Sequence, residues 1–236
     1  MRAELLLLAA CSACTTSAAA TGPGSNGSAT GSATSARFER DMIVRFHMHE
    51  NYGLLRAIDR LLVRDKLDEA KELARGLATA PDEPGMAAFA AQTTSVRDQA
   101  AAIANATTTE AALRALTKVG AACASCHASS GTLPDLGSPP AAPPDRTTLD
   151  ARMARHRWAT DRLWEGVMGL SDEGWTAGLD VLVATPLPGT ELGAARQPFA
   201  RTLQRDARRA KTVKSGERAA AYGELLVTCA ACHATR

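Results

Sequence analysis

The sequence predicts an all-α protein built as two tandem four-helix bundles, and three observations predict it. Apolar residues recur at helical spacing, and no segment alternates as a strand does. A stretch carrying Pro134, Pro139, Pro140, Pro143 and Pro144 cuts the chain in two, since five prolines exclude a continuing helix. Three unrelated landmarks also recur at a nearly constant offset: Cys123 and Cys229 are 106 residues apart, Met48 and Met153 are 105 apart, and Pro84-Gly85 and Pro188-Gly189 are 104 apart. Such a pattern marks a duplicated unit with small insertions.

Residues 1–11 resemble a short export signal, and residues 12–37 are small, polar and almost uncharged, a composition expected of a flexible tether. The first bundle is expected over 38–130. Its first helix carries the stripe Val44, Leu54, Leu55, Ile58, Leu61 and Leu62, and its second runs from Leu67 to Leu77. A turn at Ala80-Pro-Asp-Glu-Pro-Gly85 precedes a third helix over about Met86 to Ala104, and Thr107-Thr-Thr-Glu110 reads as a capping box for the fourth. In that helix Leu113, Leu116, Gly120, Cys123 and His127 share one face. After a linker at 131–146, the second bundle is expected over 147–236, with Ala219, Tyr222, Leu226, Cys229 and His233 repeating those steps.

Composition narrows the classes of function. The chain of 236 residues has no run of about 20 apolar residues, the length a spanning helix needs. Its formal net charge of +2 is too small for the concentrated basic surface of a nucleic-acid binder, so no nucleic-acid partner is expected. Only 4% of the residues are aromatic. With so few large side chains, two cores need some other bulk to fill them.

The six cysteines carry the chemistry. Cys123-Ala-Ser-Cys126-His127 and Cys229-Ala-Ala-Cys232-His233 are two copies of C-x-x-C-H, the attachment signature of c-type haem. On a helix two sulfurs three residues apart reach one edge of a porphyrin and add across its two vinyl groups, while the histidine, one turn past the first cysteine, offers an imidazole to iron. Zinc is the weaker reading: paired C-x-x-C zinc ligands usually stand some 15 to 20 residues apart, and here about a hundred intervene. A thioredoxin-like redox pair needs a βαβ setting that the chain lacks. Cys11-Ser-Ala-Cys14 is followed by Thr15 and so lacks the iron ligand. Cys14 has no assigned role.

Both motifs come late in their repeats, and only Ala234-Thr-Arg236 follows the second, so the remaining iron ligand is expected from upstream. In these features the chain resembles the class II cytochromes c, cytochrome c′ and its methionine-ligated relatives, over about residues 38–130 and again 147–236. The resemblance implies four-helix bundles with haem on the fourth helix and the second axial position facing the first. A tandem pair departs from the family pattern, which leaves the family's dimer arrangement unassigned.

The histidines outside the motifs are His47, His49 and His156, all on the two expected first helices. At 100° per residue, His47 and Met48 fall on the inward face of the first and His49 on the polar side, while Met153 and His156 both face inward on the second. Methionine is the one ligand type at matching positions, which makes Met48 and Met153 the expected sixth ligands to the irons held by His127 and His233. Three arrangements remain open: His/Met, bis-His through His47 or His156, and an open iron with methionine as packing only.

Haem c is attached outside the cytoplasm. Leu8-Ala9-Ala10-Cys11 resembles a bacterial lipobox, so Cys11 is the expected lipid anchor of a periplasm-facing membrane lipoprotein. Basic residues concentrate at Arg201, Arg205, Arg208, Arg209, Lys211 and Lys214, a stripe open to two readings: a docking face for an acidic redox partner, or a solvated face beside haem propionates. The function expected is single-electron transfer between periplasmic or membrane redox partners. A gas-binding or peroxide-reducing protein with one five-coordinate iron, and a zinc-stabilised structural lipoprotein, are the alternatives from other classes.

Overall fold

The computed structural model describes residues 29–81, 85–134, 136–137 and 139–235, with side chains from Asp41 onward. The expected signal, Cys11 and Cys14 lie outside the described residues. All regular structure among the described residues is helical. The elements are α1 (Ala29–Val63), α2 (Leu67–Ala78), α3 (Ala90–Ala104), α4 (Thr109–Ser130), α5 (Leu149–Met168), α6 (Asp172–Ala184), the single turn α7 (Gly189–Leu192), α8 (Gln197–Ala210) and α9 (Arg218–Ala234). None is long and apolar enough to cross a membrane.

Local chemistry sets the boundaries. Thr108 caps α4 by accepting a hydrogen bond from the Ala111 amide at 3.1 Å, one residue later than the capping box read from Thr107. Glu110 therefore falls one position short of reaching back to the cap and instead accepts from Arg114. Thr148 and Ser171 cap α5 and α6 in the same way. Gly131, at φ 66°, closes α4 with the left-handed residue a helix end favours. Between α1 and α2, Asp65 takes the left-handed position at φ 57°. The amides of Asp65 and Lys66 return to the carbonyls of Leu62 and Leu61 at 3.0 and 2.9 Å, the paired bonds of a Schellman closure. Two elements differ from expectation. α1 begins at Ala29, inside the expected tether, and a turn of 3₁₀ helix at Ala87–Phe89 delays the third helix to Ala90.

Glu39–Arg236 form one compact unit. Within this unit α2 packs on α3 and α3 on α4, while α5 packs on α6, α6 on α8 and α8 on α9. Helices from before and after the proline stretch also pack on each other, α4 against α9 and α5. Ile58, Leu62, Leu113 and Leu116 of the first repeat and Leu163, Trp164, Tyr222 and Leu226 of the second belong to one continuous apolar cluster.

α4 and α9 cross antiparallel. Arg114 pairs with Glu224 at 2.7 Å, and the start of α4 (Thr109, Leu113) shares a groove with the end of α9 (Ala231, Ala234). At the crossing a Cβ on Gly223 would stand 3.3 Å from the Thr117 hydroxyl, so glycine there permits the close approach. The crossing is stabilised from the side by a buried polar group. Arg56 of α1 pairs with Asp59 and with Asp161 of α5. The Tyr222 hydroxyl of α9 lies 3.2 Å from Asp59 and 3.3 Å from the Thr160 carbonyl, and its ring sits 5.9 Å from that of Trp164.

Candidate functional site

Antiparallel packing sends the two C-x-x-C-H motifs to opposite ends of the unit. His127 lies ten residues beyond Thr117 and His233 ten beyond Gly223, so at 1.5 Å per residue their backbones are about 30 Å apart along the helix axes.

At the second motif, α9 presents Cys229, Cys232 and His233 to a cavity of about 130 Å³, with Met153 and His156 of α5 and Phe199 of α8 among its other walls. Met153 thus lines the same cavity as Cys229, Cys232 and His233. The volume is below the 300 to 1,000 Å³ of ordinary cofactor pockets, so a macrocycle entering here must part α8 from α5 and α9. Burial pushes the Cys229 thiol up to about 12 and raises Cys232 as well. Both are therefore neutral thiols at physiological pH, and because the thiolate is the nucleophile, burial holds them in their less reactive form. His233 is exposed at the rim. Partial burial, with the positive charges of Arg196 and Arg64, pushes its pKa down, which keeps the imidazole neutral and its nitrogen lone pair available.

His156 has a different task. Its Nε2 donates to the Thr185 carbonyl at 2.7 Å, and burial lowers its pKa. Serving as an axial ligand through Nε2 would break that bond and leave a buried carbonyl unpaired.

At the first motif, Cys123, Cys126 and His127 stand half-buried near the end of α4, and burial raises Cys123 to about 12. Gly120 brings α5 close: a Cβ there would lie 3.0 Å from Val167 and 3.2 Å from the Trp164 ring. His127 Nδ1 consequently reaches the Met168 carbonyl at 2.9 Å. A carbonyl only accepts, so Nδ1 is the donor in this bond, which leaves Nε2 as the ring nitrogen a metal could take. This orienting group belongs to the second repeat. Nothing in the spacing of C-x-x-C-H points to it, because it depends on how the repeats pack.

Met48 and His47 are half-buried on α1 and His49 is exposed, as their helical phase predicts. Asn51 Nδ2 donates to His47 Nε2 at 2.9 Å. No described contact or cavity joins Met48 to Cys123, Cys126 or His127. Asp65 accepts from Thr109 Oγ1 at 2.8 Å, which ties the end of α1 to the start of α4. Met48 is then about 25 Å back along α1, and Cys126 about 25 Å along α4, from that tie.

The four motif cysteines are free thiols. Among the described residues no three His, Cys, Asp or Glu side chains converge to hold a metal ion, so in each motif the two thiols and the imidazole are arrayed along a helix edge. That array can hold a flat macrocycle at two points and present one nitrogen to its centre. Comparison with protein-family models, curated proteins and solved structures finds no match.

Proposed function

We propose that this chain is a dihaem c-type cytochrome of the class II kind, passing single electrons between periplasmic or membrane redox partners. One observation carries the reading: Met153, Cys229, Cys232 and His233 line a single apolar cavity. Each bound haem would supply a one-electron ferric/ferrous couple. The protein's part is to anchor and tune it. Cys123 and Cys126, and Cys229 and Cys232, would anchor each haem through thioethers, and His127 with Met48 and His233 with Met153 would be the residues that hold the irons.

In this reading the repeats are two four-helix bundles, α1 to α4 and α5, α6, α8 and α9, sharing a core. The Met168 carbonyl would orient His127, and Met153 and Phe199 would give the second haem an apolar wall. Haem supplies the aromatic bulk that a chain with 4% aromatic residues lacks. Cys11 anchors the protein to the membrane as a periplasm-facing lipoprotein.

The test is the absorbance spectrum of the reduced protein with and without carbon monoxide. His/Met irons give low-spin spectra that carbon monoxide changes only slowly. Rapid carbon monoxide binding at both irons would overturn methionine ligation, and a colourless protein would overturn the haem assignment.

A further inference from the structure

The two motifs sit in electrostatically different surroundings. The segment from Arg196 to Lys214 holds seven basic residues and one acidic, Asp206, a net +6, whereas the whole chain is +2; the rest therefore sums to −4. Within α8, Arg201, Arg205, Arg208 and Arg209 share the outer face, opposite the buried stripe. Leu203, Ala207 and Ala210 are buried against the core, while Arg201, Arg205, Arg208, Arg209, Lys211 and Lys214 are exposed. Arg205 and Lys211 have carboxylates of their own, Asp206 and Asp180. Arg201 and Arg209 have no ion pair among the described residues.

The same helix forms a wall of the second site, through Phe199, Ala200 and Leu203. Arg196, just before it, donates to the Thr235 carbonyl at 2.9 Å beside His233. The basic face thus adjoins the one motif whose histidine is exposed.

We propose that the outer face of α8 is the docking surface for an acidic redox protein exchanging electrons with the second site; this rests on the dihaem reading above. Arginine favours a protein partner, because its planar fork pairs bidentately with carboxylates. The apolar stripe of α8 is used in the core, so the helix has nothing to insert into a membrane. The first motif lies at the opposite end, about 30 Å away along the helix axes.

Stopped-flow reduction of the dihaem protein by reduced plant-type ferredoxin, an acidic one-electron donor, tests this; each event oxidises one ferredoxin cluster and reduces one ferric haem. The faster phase should slow at least tenfold between about 0.01 M and 0.15 M salt, as the Debye length falls from about 30 to 8 Å. Arg201→Glu/Arg205→Glu/Arg208→Glu/Arg209→Glu should slow it about tenfold or more at low salt, and Arg201→Gln/Arg209→Gln should give a smaller slowing in a variant whose fold is least disturbed. Arg45→Glu/Arg75→Glu, exposed elsewhere, should leave the fast phase unchanged. Equal rates in all variants, or rates independent of salt, would overturn the docking surface. So would α8 variants that lose binding to phosphatidylglycerol vesicles while ferredoxin reduction is unchanged, an outcome that assigns the face to lipid. A preparation without a haem Soret band fails the dihaem reading itself, before any rate is measured.

Discussion

Replacing Arg56 with methionine should cost about 3 to 5 kcal/mol of stability, because it leaves the Asp59 carboxylate buried without its cation. Asp59 is 3% exposed, and its Oδ1 has no hydrogen-bond partner among the described residues. Once Arg56 is gone, the Tyr222 hydroxyl at 3.2 Å is the main group left to it. The pair between Arg56 and Asp161 adds less, since Asp161 is partly exposed and water can replace the cation. The variant's loss should shrink as pH falls. Burial already raises the Asp59 pKa against the opposing pull of Arg56, and removing Arg56 raises it further. A carboxyl with a raised folded-state pKa binds its proton more tightly when folded, so its contribution is most favourable below the unfolded value and is lost as pH rises through the folded one. The double variant Arg56→Met/Asp59→Leu, which removes both charges, should recover most of the loss. Urea unfolding at pH 7 and pH 5 reads all three. A loss below about 1 kcal/mol in the single variant, or a double variant no better than the single, would refute the claim that this group is desolvated between the repeats.

Other substitutions probe the site and the close helix contacts. Gly53 has open space around its Cα and Gly120 does not, so Gly53→Ala should stabilise by about 1 kcal/mol from helix propensity while Gly120→Ala loses that gain to crowding against Trp164 and Val167, giving a net change of about 0 to −2 kcal/mol by thermal unfolding. Thr108→Ala should cost about 1 kcal/mol, measured the same way, by removing the α4 cap. Met153→Ala should turn the second iron high-spin and open to carbon monoxide in electron paramagnetic resonance and absorbance spectra, whereas His156→Phe should destabilise the fold by about 1 to 3 kcal/mol through the unpaired Thr185 carbonyl and leave the low-spin signal in place.

What was legible from sequence is what depends on local periodicity. The stripe through Ile58 and Leu62, the phase that turned His49 outward, and the facing of Met153 toward the second motif all follow from 100° per residue on a helix. The α4 cap moved by one residue because three consecutive threonines offer equivalent side chains, and only the packed backbone selects Thr108. What could not be read lies between repeats. Arg56, Asp59, Asp161 and Tyr222 are scattered over the sequence, and each looks like an ordinary surface or core residue until α1, α5 and α9 meet. The Met168 carbonyl beside His127 carries no side-chain signal at all. The antiparallel crossing of α4 and α9, which separates the two motifs, depends on small residues such as Gly223, whose role appears only when the opposing Thr117 is in place.

The measurement that bears most directly on the account is the intact mass of the protein made in a host that attaches haem c, compared with a Cys123→Ala/Cys126→Ala variant. Two covalent haems on the native chain and one on the variant, each surviving denaturation, are predicted. A native chain with the mass of the bare polypeptide, whether colourless or holding zinc that denaturation releases, would contradict it.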